Sequence, residues 1–169
     1  MPLADDIENL GSPERAVRVL AVKRLAEQGE VAVGPLIALL LESGSPDKRW
    51  YAALALSRIG APAVRPLIAA LGENLDPGFR RYAAAALGHT GNAAIDPLIE
   101  AMKGADPALR GYLSAALCRI GAPALARLRE LYTGPDEELR SCAELTLWGM
   151  GEEGIRAMVE SIENEGNGG

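Results

Sequence analysis

Apolar residues along this chain fall into helical stripes that recur every 30 or 31 residues in a frame set by glycine. The frame glycines are Gly29, Gly60, Gly91, Gly121 and Gly151. Four residues before each stands a leucine: Leu25, Leu56, Leu87, Leu117 and Leu147. Four residues after stands Val33, Val64, Ile95, Leu125 or Ile155, and seven after stands Leu36, Leu67, Leu98, Leu128 or Met158. Eleven residues before each glycine the chain carries an arginine: Arg18, Arg49, Arg80, Arg110 and Arg140.

Each repeat reads as two helices. Ser45-Pro46, Asp76-Pro77 and Asp106-Pro107 place an oxygen side chain at the N-cap and proline at the first helical position. Pro13 and Pro135 come slightly earlier in the first and last repeats, which predicts longer opening turns there. This first helix runs to the glycine. Its apolar positions, in the third repeat Phe79, Ala83, Ala86, Leu87 and Thr90, span about 100° of arc at 100° per residue. The second helix follows a short turn such as "GAPA" and buries Val64, Leu67, Ile68 and Leu71 in the second repeat. Pro35, Pro66 and Pro97 sit in its first turn, where a missing N–H costs little. Its outer face in the second repeat is expected at Ala63, Pro66, Ala69 and Ala70.

Neither helix buries its stripe alone, so the repeats must stack. The expected organisation is an N-terminal capping helix within 1–11, repeats at 12–43, 44–74, 75–104, 105–134 and 135–163, and a disordered tail at 164–169. The last helix is expected to close the stack with acidic outward positions.

Composition narrows the function classes. Ala and Leu are abundant and aromatics are 4% of the chain, which favours helix over strand. No apolar run approaches the roughly 20 residues of a membrane helix, and the acidic start "MPLADDIENL" lacks the blocks of a secretion signal. A cytoplasmic, prokaryotic protein is the expectation. The net charge of −6 opposes wholesale binding to nucleic acid. Cys118 and Cys142 have no ligand spacing and read as free thiols, and one histidine is too few for a metal cluster. No metal and no cofactor are expected.

The stretch "DPGFRRYAAAALGHTGNAAIDPLIEAM" (76–102) resembles the short HEAT-like repeat of phycobilisome lyases, and the resemblance extends over residues 12 to about 163. It implies an all-α fold, a right-handed α–α superhelix of about five two-helix repeats. It implies that the Arg-bearing helices line a concave face and the Pro-bearing helices a convex one. The repeat type occurs in bilin lyases, in an iron-dependent hydroxylase and in adaptor proteins. The hydroxylase binds iron through His-Glu pairs; His89 is followed by Thr90, and no such pair occurs here.

Function is then sought opposite the buried stripe. Both tryptophans fall there, Trp50 and Trp148, with Leu54 and Arg81. Two residues before successive glycines stand Arg58, His89 and Arg119. These seven residues form the candidate partner-binding set. The arginine column is assigned a structural role, pairing with carbonyls or with Asp76, Asp106 and Asp136. Tyr51, Tyr82 and Tyr112 are read as packing between repeats. The expected function is a non-enzymatic scaffold that takes a protein segment with acidic and apolar residues; the alternative is a bilin lyase-like enzyme or enzyme subunit. The oligomeric state is open.

Overall fold

A computed structural model describes residues 2–168. In chain order the helices are α1 (Leu3–Asn9), α2 (Arg15–Gln28), α3 (Glu30–Glu42), α4 (Pro46–Ile59), α5 (Ala61–Glu73) and α6 (Pro77–Gly88). A 3₁₀ turn (Asn92–Ala94) follows, then α7 (Ile95–Met102), α8 (Pro107–Ile120), α9 (Ala122–Tyr132), α10 (Glu137–Gly149) and α11 (Glu152–Gly166). No strand occurs among the described residues. The chain is an all-α repeat fold.

The five frame glycines all have positive φ, between 63° and 88°. At Gly60 and Gly121 ψ lies near −130°, a region essentially closed to residues with a Cβ. One residue there reverses the chain between two helices, which is why the letter recurs. The oxygen caps act as the spacing predicts. Ser45 Oγ accepts the Lys48 N–H (3.3 Å), Asp76 Oδ2 that of Phe79 (2.8 Å) and Asp106 Oδ1 that of Leu109 (2.8 Å). Asp136 caps α10 the same way through the Leu139 N–H (3.1 Å).

The helices gather into two compact units, Met1–Ala94 and Ile95–Gly169. The break falls within the third repeat, where α6 stops at Gly88 and a 3₁₀ turn precedes a short α7. In the first unit α4 packs on α2 and α3, α6 packs on α4 and α5, and α1 covers α2. Leu25, Leu36, Leu56, Leu67, Phe79 and Leu87 are fully buried there. In the second unit α8 packs on α7 and α10, and α11 packs on α9 and α10, around Leu98, Leu113, Leu117 and Leu147. Each such side chain contributes about 1.5–3 kcal/mol relative to exposure.

Several expectations are corrected. Residues 164–166 are not a disordered tail, because α11 continues to Gly166. Ala63 and Ala70 are buried rather than on an outer face, because α5 touches both α3 and α6 and so buries a wider arc than its aliphatic stripe. Thr90 does not extend the α6 stripe; it lies beyond the helix and its hydroxyl donates to the Leu87 carbonyl (2.7 Å). The capping helix holds a buried carboxylate that patterning does not announce. Asp6 accepts from Gln28 Nε2 (2.9 Å) and lies 3.7 Å from an Arg24 guanidinium nitrogen.

Candidate functional site

In the Met1–Ala94 unit, α4 and α6 present a cleft lined by Trp50, Ala53, Leu54, Ser57, Ala85, Ala86 and His89. The helical period explains this set. Trp50, Leu54 and Ser57 are successive turns of one face of α4, outside the stripe that Ala52 and Leu56 bury. The small Ala85 and Ala86 of α6 leave the depression open. Ser57 turns its hydroxyl back to the Leu54 carbonyl (2.7 Å), so the lining stays almost wholly apolar. Trp50 forms one wall and is 55% exposed. Its neighbour Tyr51 is half-buried beneath the Arg18 guanidinium, 5.0 Å from the ring centroid, which fixes this turn of α4. The cleft holds about 30 Å³, far below the roughly 300–1,000 Å³ of a small-molecule site. It is sized for the tip of one side chain.

The charged side chains that α4 and α6 carry are mostly basic. Arg58 and Arg81 are exposed on the same two helices, and His89 is exposed at the end of α6. None of the three side chains makes an ion pair or hydrogen bond among the described residues. α6 has no carboxylate, and α4 has only Asp47 in its first turn. A local cationic and aromatic surface thus stands on a chain of net charge −6.

The other two candidates belong to the second unit. Arg119 lines a shallow groove of about 440 Å³ with Gly111, Ser114, Ala115, Cys118, Leu145 and Gly149. Trp148 is 58% exposed and does not line it. The Cys118 thiol reaches the Thr146 carbonyl at 3.5 Å, and burial pushes its pKa up, opposite to an activated nucleophile. The structure therefore brings Trp50, Leu54 and His89 together and keeps Arg58 and Arg81 on the same helices. Arg119 and Trp148 belong to the Ile95–Gly169 unit. Sequence reasoning passed over Ala53 and Ala86, whose only signal is small size beside a tryptophan.

The arginine column sits at the junction between successive repeats. Arg80, buried, donates through Nε to the Asn74 (2.8 Å) and Leu71 (3.2 Å) carbonyls at the end of α5. Arg110 donates to the Met102 carbonyl (3.0 Å) and pairs with Glu138. Arg18 reaches the Ser12 carbonyl (2.6 Å) and Arg140 the Gly134 carbonyl (3.0 Å). Arg49 Nε is buried without a partner among the described residues. Asp76, Asp106 and Asp136 spend an oxygen on their own helix N-termini, and Asp136 also takes Lys103 (2.7 Å). No cluster of His, Cys, Asp or Glu among the described residues is placed to hold a metal, and no helix there is long and apolar enough to cross a membrane.

The profile of HEAT repeats matches residues 64–148, just over half of the chain. The chain belongs to the HEAT-repeat family. Within it, the PBS lyase HEAT-like repeat matches residues 48–73, which carry Trp50 and Leu54. No curated protein matches. Among solved structures, the complex of CpcE and CpcF of phycocyanin lyase from Nostoc sp. PCC7120 is 22% identical, with a TM-score of 0.43 over 85% of this HEAT-repeat chain and 96% of that one. Two engineered proteins are 20% and 21% identical, each with a TM-score of 0.34, over 98% and 95% of this chain and 87% of each of theirs.

Proposed function

We propose that this HEAT-repeat chain is a non-enzymatic scaffold that holds a protein segment carrying apolar and acidic residues at the α4–α6 face. One observation carries the reading. An exposed tryptophan borders an apolar dent, and the arginines on the two helices that form it, Arg58 and Arg81, have side chains unpaired among the described residues. An apolar side chain of the segment fills the dent against Trp50 and Leu54, and its carboxylates meet the two arginines. Tryptophan and arginine together are the composition of an interface hot spot. The test is capture of partner from source-cell extract by the wild-type chain and by Trp50→Ala with Arg81→Ala. Capture should be lost while the melting temperature holds, since both side chains are exposed. Capture that persists sinks the assignment.

A second reading, a subunit of a bilin lyase, is supported by the match of residues 48–73 to the PBS lyase HEAT-like repeat. Mixing the chain with a bilin and an apo-phycobiliprotein separates the two. A covalent coloured adduct favours the lyase subunit, and an unchanged absorbance spectrum favours the scaffold.

A further inference from the structure

The repeat register exposes a contradiction at the last helix. Four residues after the frame glycine, Val33, Val64 and Ile95 are buried and Leu125 is half-buried; eleven after, Leu40, Leu71 and Met102 are buried and Tyr132 is half-buried. The same columns in the last repeat are Ile155 and Ile162, and both are exposed, Ile162 at 57%. Val159, between them in register, is 48% exposed. At 100° per residue the three lie within about 60° of arc, a stripe of about two helical turns. α11 therefore has the apolar pattern of an inner repeat, not the polar outer face that ends a repeat stack. Trp148 repeats this on α10. It holds the register of Cys118, whose thiol is covered by the next first-type helix at the Thr146 carbonyl.

Charge says what kind of chain covers this stripe. α11 carries Glu152, Glu153, Glu160, Glu163 and Glu165 against one cation, Arg156, which is tied to Glu152 (3.3 Å). A second copy laid on the stripe would set these glutamates against their own equivalents. The second unit already shows the favourable solution, since α9 packs on α11 and an Arg129–Glu160 pair (3.1 Å) joins them.

We propose that the Ile155–Val159–Ile162 face of α11 is a docking surface for an amphipathic helix of a partner protein whose apolar stripe is flanked by lysine or arginine. It belongs to the Ile95–Gly169 unit, whereas the α4–α6 cleft belongs to the other, and it takes a partner of opposite charge. The probe is a fluorescein-labelled synthetic helix of about 18 residues, five turns, with leucine at i, i+4, i+7 and i+11 and lysine on both flanks. Anisotropy against the full chain should show saturable binding that weakens as salt is raised. Val159→Glu with Ile162→Glu should weaken it about tenfold or more with an unchanged circular dichroism spectrum and melting temperature, while Trp50→Ala leaves it intact. No saturable binding, equal binding by a glutamate-flanked or stripe-scrambled peptide, or indifference to the double variant overturns the proposal. Loss of binding in Trp50→Ala overturns it too, by moving the peptide to the α4–α6 cleft. A wild-type dimer in sedimentation that the double variant makes monomeric would assign the face to a second copy instead.

Discussion

Alanine placed at two glycines should change stability in opposite directions. At Gly60 the backbone has φ +76° and ψ −130°, and a Cβ built there meets nothing within 4 Å. The whole cost of Gly60→Ala is therefore conformational, with no packing gain or clash to mix with it. Backbone held in a region closed to L side chains costs about 1–3 kcal/mol. At Gly111, inside α8, a Cβ also meets nothing within 4 Å, but the backbone is helical. There alanine removes unfolded-state freedom and gains about 0.5–1 kcal/mol. The two variants should differ by about 1.5–4 kcal/mol, roughly 3–16 °C in melting temperature for a chain of this length. Urea unfolding followed by circular dichroism at 222 nm measures both. A Gly60→Ala variant as stable as the wild type would refute the reasoning, because the reversal between α4 and α5 would then not need a glycine. A destabilised Gly111→Ala would show that α8 has a neighbour on its exposed side.

Other substitutions test the remaining layers. Leu87→Ala removes a fully buried side chain of α6 and should cost about 2–5 kcal/mol in the same urea assay. Gly154→Ala should destabilise by at least about 1–3 kcal/mol, since a Cβ there would lie 1.9 Å from the Leu147 carbonyl oxygen and force α11 off α10. Arg80→Ala should cost more than Arg140→Ala, because the Arg80 guanidinium is buried on two carbonyls whereas Arg140 is exposed on one. Cys118 should react with iodoacetamide slowly at neutral pH, with a rate midpoint above the ordinary thiol value, because burial favours its protonated form; a midpoint below that value would contradict the burial.

The repeat frame was readable in the sequence because its causes are local. A glycine at the reversal, an oxygen with proline at the N-cap and a stripe of fixed arc each act within one helix or turn. The candidate cleft was half readable. Trp50, Leu54 and His89 were named from their columns, but the cleft exists because Ala85 and Ala86 of a second helix are small. The arginine column was recognised as structural, yet its carbonyl partners belong to loops whose path the pattern does not give. The pairing with Asp76 and Asp106 fails because those carboxylates satisfy the nearer N–H groups of their own helices. Asp6 was invisible for a related reason, since a buried carboxylate depends on Gln28 and Arg24 arriving from another helix.

The amino-acid sequence by itself determined the helix pairs, their period and which arc of each helix is apolar, since these follow from 3.6-residue periodicity and backbone sterics. Tertiary structure decided which apolar positions find a neighbour. Ala63 and Ala70 are covered because α5 has helices on two sides, while Ile155, Val159 and Ile162 carry the same pattern and are left exposed. Burial is a property of two surfaces, and one strand of sequence describes only the first of them.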